Sequence, residues 1–544
     1  MRIPVLVLAS FLLFSPLCHA LDQARVENGV DRAVQAFGVS GSGVIVAILD
    51  RGIDYTHPDF RNADGTTRID SIFDALDDAG AANPYGVGTI YTRQQINTAL
   101  AGGPPLAHRD ATGHGVASAG IAAGNGRGNP LYRGMAPEAT LIIVKAVTEG
   151  AAAHGDQPAE PAAPFSIDRV MKGIDFVLDR ARVLGMPVVM LANFGSQGGP
   201  TDGTSQISRK IDSATGPGVI FVTGTGDDGG KPNRVGGTVA PGAEAVITFQ
   251  KMTTGSLDIQ LWYDATGRFD VTIDTPSGSF GPYASPEAEN ARTEISNAAL
   301  QYFDNGRDAD FVFAANQERQ IFLRLLSGTG NFAVRLRSKS GSGVRFDGTM
   351  NPSNIFSATE NFFTSFVAPG SIWDGATALS NIAPNSYVGR STWRDIDGVQ
   401  RSITGTGNIG ELWLGSSVGP TFDGRRGVDV AAPGDLVIAP SGQNSIRRTF
   451  RFNNVQNGNF LYAVQNAVSG AAPQVTGVIA LMLEVDPTLT PEEVRSALHQ
   501  SARRDSFTGA TPNPMWGFGK MEAFGAITIV KNNLPPRKVR SRRH

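Results

Sequence analysis

Residues 44–54 read Val44-Ile45-Val46-Ala47-Ile48-Leu49-Asp50-Arg51-Gly52-Ile53-Asp54. Six consecutive apolar residues leave no polar face, so the run reads as a strand covered on both sides, as in a parallel sheet. Three more short apolar runs follow, at 141–144, 188–192 and 219–222. Between the first and second of these three, residues 166–184 place Val170, Ile174, Val177, Leu178 and Ala181 at helical spacing, with Ser166 as an N-cap. Strands alternating with helices predict an α/β fold: a parallel sheet with flanking helices. The Pro/Ala/Gly-rich stretch 150–164 reads as a surface loop.

The period changes near residue 241. Leu257, Ile259 and Leu261 alternate with polar residues, as do Phe269, Val271 and Ile273, then Ile321, Leu323 and Leu325, then Phe332, Val334 and Leu336. Period two predicts an antiparallel all-β domain, sandwich or jelly-roll-like, over about 241–368. Ser327-Gly328-Thr329-Gly330-Asn331 reads as a hairpin turn joining the last two runs. Mixed α/β character returns after 370. Residues 471–485 read as a helix with Pro473 in its first turn. A second helix starts at Thr490-Pro491, with Glu493 completing a capping box.

Composition narrows the class. Of the 544 residues, 41% are hydrophobic and 18% charged, which excludes a mainly disordered chain. The 65 glycines point to tight turns and close backbone approaches. A net charge of −3 offers no footprint for nucleic acid. Arg2, an apolar run over 3–17 and the small residues Cys18 and Ala20 read as a signal peptide over 1–20. The run is short for a membrane span, and no other stretch reads as one. The expectation is an exported chain, periplasmic or extracellular, whose only Cys leaves with the signal. The end, 531–544, carries Lys531, Arg537, Lys538, Arg540, Arg542 and Arg543 and no acid. It reads as a solvated basic tail, with contact to an anionic surface as the alternative.

Three reactive side chains sit at breaks in regular structure. Asp50 ends the first strand, at the edge where α/β sheets present functional groups. His114 lies between Gly113 and Gly115 at the start of a helix of small residues. Ser469 stands at the mouth of a helix, where free N–H groups favour a developing negative charge. Each alone has a structural reading. Together they form an Asp–His–Ser set in that chain order. Ser469 would be the nucleophile, His114 the base and then the acid, and Asp50 the group that fixes the imidazole. The seven histidines are scattered, and no metal-binding spacing occurs.

Further matches extend the pattern: His57-Pro58-Asp59-Phe60, Arg133-Gly134-Met135-Ala136-Pro137, Gly419-Pro420-Thr421, Val428-Asp429-Val430-Ala431-Ala432-Pro433-Gly434, Ala471-Ala472-Pro473 and Trp516-Gly517-Phe518-Gly519. With these, the chain resembles the subtilisin (subtilase) family of serine peptidases, in particular bacterial members with a β domain inserted in the catalytic domain. Residues 91–97 and 199–205 look like that subgroup's loops. The resemblance implies a catalytic domain in two parts, 21–240 and 369–530. It implies a cleft between two segments that pair with a peptide, near Leu191, Ala192, Asn193, Phe194 and Gly195 and near Gly224, Thr225 and Gly226. It implies protein or peptide substrates and no cofactor; relatives often bind structural Ca²⁺, which no residue here locates.

The chain departs from the family at its centre. Asp227 falls where the resemblance implies an oxyanion-binding Asn, and an ionised carboxylate would repel the oxyanion. A protonated Asp227 could donate instead. Arg51, Val116, Ala117, Val468 and Gly470 also replace the usual residues. Two readings remain: a secreted endopeptidase, or a catalytically impaired relative that binds peptides or partner proteins. The short stretch between Ala20 and Asp50 leaves no room for the family's N-terminal propeptide, so folding assistance or inhibition would have to come from the insert or from a separate chaperone or inhibitor.

Overall fold

The computed structural model describes residues 21–163, 166–288, 291–304, 317–351 and 361–534. The signal segment 1–20 and tail residues 535–544 lie outside these. Residues 531–533, read as tail, instead complete a helix.

Six strands form the central sheet: β1 (Ile45–Asp50), β2 (Ile69–Asp74), β3 (Thr89–Thr92), β4 (Thr140–Lys145), β5 (Val188–Ala192) and β6 (Val219–Val222). Their order is β3-β2-β4-β1-β5-β6, parallel except for the β2–β3 edge pair. Ile45 of β1 stands opposite Thr140 on one side and Val188 on the other. The four apolar runs of the sequence are β1, β4, β5 and β6, whereas β2, parallel to β4 and equally buried, was missed because Asp70 and Ser71 interrupt it.

The helices are α1 (Leu21–Glu27), α2 (Val30–Phe37), α3 (Arg93–Leu100), α4 (His114–Ala123), α5 (Ile167–Leu184), α6 (Gln206–Ala214), α7 (Val468–Val485), α8 (Pro491–Ser501) and α9 (Ala523–Asn533). Val46 and Ile48 face α4 and α7, in one core with Val116, Val475, Val478 and Met482. Ile45, Ala47 and Leu49 face the other way, in a core with Val170, Ile174 and Val177 of α5. Burial on both faces is why β1 tolerates no polar residue before Asp50. Ser166 caps α5 and Thr490 closes a capping box on α8, as the sequence predicts.

The helix α7 begins three residues earlier than the sequence suggests. It is also long and apolar enough to cross a membrane, contrary to the sequence reading, yet 83% of it is buried inside the fold. A helix that is apolar all round is here a core helix. Just before it, Ala467 adopts φ 75° and ψ −170°, a conformation suited to glycine.

The β domain packs a five-stranded antiparallel sheet on a six-stranded one. The alternating residues of the sequence form its core, among them Leu257, Ile259, Val271, Leu323 and Val334. Two expectations change. The six-stranded sheet already includes Arg234–Val239, whose Gly236 and Gly237 hid the alternation. The turn at 327–331 makes no hairpin: Glu318–Leu325 pairs with Leu257–Asp264, whereas Gly330–Ser338 pairs with Glu244–Lys251 in the other sheet. Both strands bury the same core from opposite sides, so identical patterns do not imply pairing.

The insert is tied to the catalytic part beside the sheet's carboxyl edge. Arg234 donates to Pro420 O (2.8 Å) and lies 4.0 Å above the Phe422 ring. Thr349 Oγ1 donates to Gln197 O (3.1 Å), and Gln260 Oε1 accepts from Gly199 N–H (3.1 Å).

Close approach fixes α4 against the loop after β1. A Cβ at Gly115 would stand 2.1 Å from Gly52 O. Gly115→Ala should therefore cost about 1–3 kcal/mol, read as a lower melting temperature. Ala467→Gly should instead raise stability by about 1 kcal/mol, because it relieves a strained backbone.

Candidate active site

Asp50, at the carboxyl end of β1, is fully buried. Its carboxylate accepts from His114 Nδ1 (2.8 and 3.0 Å), Ser118 Oγ (2.7 Å) and the Arg51 backbone N–H (2.7 Å). Burial alone would raise its pKa. The charges and hydrogen bonds around it, led by those of His114, win and hold it below the usual carboxylate range. A carboxylate only accepts, so Nδ1 of His114 carries a proton and Nε2 is left to face the cavity.

His114 is the first residue of α4, after Gly113 at φ 83°. Asp110 caps that helix, accepting from Gly113 N–H (2.7 Å) and Val116 N–H (3.0 Å). Glycine at 113 and 115 thus serves a left-handed turn and a close contact, and together they set the imidazole beside Asp50.

Ser469 is the second residue of α7. The helix start leaves N–H groups free. Val468 N–H donates to Asp227 Oδ1 (2.9 Å) and Gly470 N–H to Ala467 O (3.1 Å), which leaves the Ser469 N–H available. Pro473, four residues on, has no N–H to give to Ser469 C=O. That carbonyl accepts instead from Asn193 Nδ2 (3.0 Å), which also donates to Ser118 Oγ (2.8 Å). The Pro in α7 therefore couples the Ser469 backbone to the residue after β5. Among the described residues, no hydrogen bond joins Ser469 Oγ to His114 Nε2. The two side chains line one cavity of about 850 Å³.

Asp227 lines the same cavity. Burial pushes its carboxyl up to about 7, with Asp228 adding to the rise and the Val468 N–H and Arg51 opposing it. With Oδ1 bound to Val468 N–H, the second oxygen is the one that could carry a proton.

The other cleft residues divide. Ala192, Asn193, Phe194 and Gly195 line the large cavity, and Gly224 a smaller one beside Ser469. Leu191, Thr225 and Gly226 line neither. Leu191 belongs to the core. Thr225 has both backbone groups used: its N–H donates to Pro384 O (3.0 Å) and its C=O accepts from Trp373 N–H (2.9 Å).

Sequence reasoning named Arg51 only as a departure from the family and missed several other groups. Arg51 extends across the cleft, donating from its guanidinium to Asn193 O (2.9 Å) and pairing with Glu149. Glu149, Arg447 and Trp373 also line the cavity. Ser118, one turn after His114, was legible as a hydroxyl at i+4 on the same helix face. Trp373 had no local signal, since the whole β domain separates it from Asp227. The departure at 470 has a steric reason, whereas that at 468 has none in the structure. Val468 packs on Gly224, and a Cβ at Gly470 would stand 2.3 Å from Gly434 O. No group of three or more His, Cys, Asp or Glu suited to a metal ion occurs among the described residues.

Comparisons with known proteins bear on this geometry. The sequence model of the subtilase family matches residues 41–519. The minor extracellular protease Vpr of Bacillus subtilis (strain 168) is 24% identical over 506 residues, covering 90% of this chain and 52% of that protein. Subtilisin E of the same organism is 25% identical over 260 residues, covering 46% of this chain and 53% of that protein. The chain thus spans about half the length of these curated relatives. The structure of the Clostridium perfringens CspB protease superposes with a TM-score of 0.71 at 21% identity, covering 95% of this chain and 99% of that one. That likeness concerns the fold, including its β domain. The family match spans both parts of the catalytic domain and all three of Asp50, His114 and Ser469: the chain belongs to the subtilase family.

Proposed function

We propose that the protein is an exported serine endopeptidase that cleaves peptide bonds through Ser469, His114 and Asp50. The observation that carries the reading is the His114–Asp50 pair, joined at 2.8 Å on the wall of a cavity that Ser469 also lines. His114 Nε2 takes the proton of Ser469 Oγ as the hydroxyl adds to the peptide carbonyl. It then returns that proton to the leaving amine, giving an acyl-enzyme that water hydrolyses by the reverse transfers. Asp50 keeps the imidazole oriented and stabilises its cationic form. The developing oxyanion lies at the start of α7, where the Ser469 N–H and a protonated Asp227 supply donors. Family membership and the resemblance to extracellular relatives support this reading; the signal-like start supports export.

A fluorophosphonate probe tests the nucleophile. Labelling should require Ser469 and vanish in Ser469→Ala. Peptide turnover should fall about 10⁴-fold in Asp50→Asn. Labelling that persists in Ser469→Ala contradicts the assignment. Peptide binding without labelling or turnover at any pH would mean an impaired relative that only binds.

The Asp227 carboxyl sets a pH dependence. It donates only when protonated, and its pKa is raised to about 7. The contribution of this donor is therefore present below pH 7 and lost above it. Turnover should fall about tenfold per pH unit above 7, toward a floor about 10²–10³-fold lower. In Asp227→Asn, Oδ1 can keep the Val468 N–H while the amide donates at every pH. That variant should match the parent near pH 6 and exceed it at pH 8–9. An equal or lower rate for the variant at pH 9 contradicts this role.

A further inference from the structure

We propose that a groove at the amino ends of β2 and β4 is a second binding site, one that takes the phosphate group of a small phosphomonoester. The groove has a volume of about 450 Å³, and Arg68, Arg93, Arg127, Glu138 and Thr140 are among its lining residues. In the parallel pair β1–β4, Ile45 stands opposite Thr140 and Asp50 opposite Lys145. Thr140 is thus at the far end of its strand from the catalytic edge, about 16 Å away at the usual rise per residue. The endopeptidase reading makes no use of this end of the sheet.

Three arginines reach the groove from three places in the chain: Arg68 just before β2, Arg93 at the start of α3 and Arg127 in the loop after α4. Glu138 is the one carboxylate on its wall, and Oε2 of that residue accepts from Ser40 Oγ (2.8 Å). Three guanidiniums against one carboxylate make the lining positive in a chain whose net charge is −3. Arg68 is buried and is held by backbone carbonyls: Nη1 donates to Asp59 O (3.0 Å) and Ala123 O (2.7 Å), and Nη2 to Ala139 O (2.7 Å). Among the described residues no carboxylate forms an ion pair with it. Burial pushes its pKa down to about 10, with Asp59 and Glu138 opposing the fall. A buried guanidinium without a paired counter-charge is costly, and an anion in the groove would supply one. Arg93 is exposed and lies 3.6 Å from Asp70, which Arg180 already holds at 2.8 Å. Arg127 is exposed.

The chemistry of the ligand follows from the donors. A carboxylate has two oxygens in one plane and suits a single guanidinium fork. A phosphate group presents three oxygens in a tetrahedral array, so forks arriving from three directions each meet an acceptor. At pH 7 a phosphomonoester carries a charge of about −1.5 to −2, which complements the positive lining. The groove has the volume of about fifteen water molecules. One phosphate group does not fill it, and the remainder receives the group that bears the ester.

Titration calorimetry of the intact chain with glycerol 3-phosphate, inorganic phosphate and glutarate tests the proposal. Glycerol 3-phosphate should bind saturably, and more weakly as salt rises. Arg93→Gln and Arg127→Gln change exposed side chains, so the fold should survive. Each should weaken binding about tenfold to a hundredfold. Arg127→Lys, which keeps the charge and loses the fork, should weaken it less than Arg127→Gln. The ester should raise the melting temperature of the parent chain and leave that of the double Gln variant unmoved. Inorganic phosphate bound as tightly as the ester, and lost in the same variants, still supports a phosphate site and makes free phosphate its source. Absence of saturable binding by both phosphates, binding unchanged in both Gln variants, or glutarate bound as tightly as the phosphates overturns the proposal.

Discussion

The site is organised around one buried charge. Asp50 ends a strand covered on both faces, and a carboxylate taken out of water there is costly unless hydrogen bonds and opposite charge surround it. The fold supplies three donors from two elements: Arg51 N–H in the next peptide, and, from α4, Ser118 Oγ one turn in and His114 Nδ1 at its start. Each donor is itself constrained. Gly113 and Gly115 let α4 start against the β1 loop, Asp110 caps it, and Asn193 braces Ser118 from the end of β5. The imidazole orientation is therefore set by the packing of β1, α4 and β5 rather than by one contact.

Much of this was legible in the sequence. Unbroken apolar runs located β1, β4, β5 and β6, because a strand buried twice shows no alternation. Strict alternation located the β domain for the opposite reason. His114 between glycines and Ser469 before a helix stood out because reactive groups at helix starts need special backbone. What the sequence hid was pairing and distance. The strands around 327–331 share a pattern yet belong to different sheets. Arg234–Val239 lost its alternation to Gly236 and Gly237. Trp373 meets Gly195 and Gly226 only because the chain returns there after a whole domain. The role of Pro473, which frees Ser469 C=O for Asn193, also needs the register of α7.

The β domain interrupts the chain between Asp227 and Trp373, two residues that line the same cavity as Ser469. Its attachment through Arg234 to Pro420 and Phe422 is joined by Gln260 and Thr349, which reach the loop after β5. Movement of the insert would thus be felt at Asp227 and at Trp373, both on the cavity wall. The Arg51 guanidinium, between Asn193 O and Glu149, adds a polar bridge across the same cleft.

The central claim is that the start of α7, with Asp227, is built to hold negative charge formed on an adduct of Ser469. A crystal structure of the intact chain carrying a fluorophosphonate adduct tests it most directly. The account predicts a phosphonyl oxygen within about 3 Å of both the Ser469 N–H and the free oxygen of Asp227, with His114 Nε2 beside the adduct. An adduct on another residue, or a phosphonyl oxygen turned away from both donors, would contradict it.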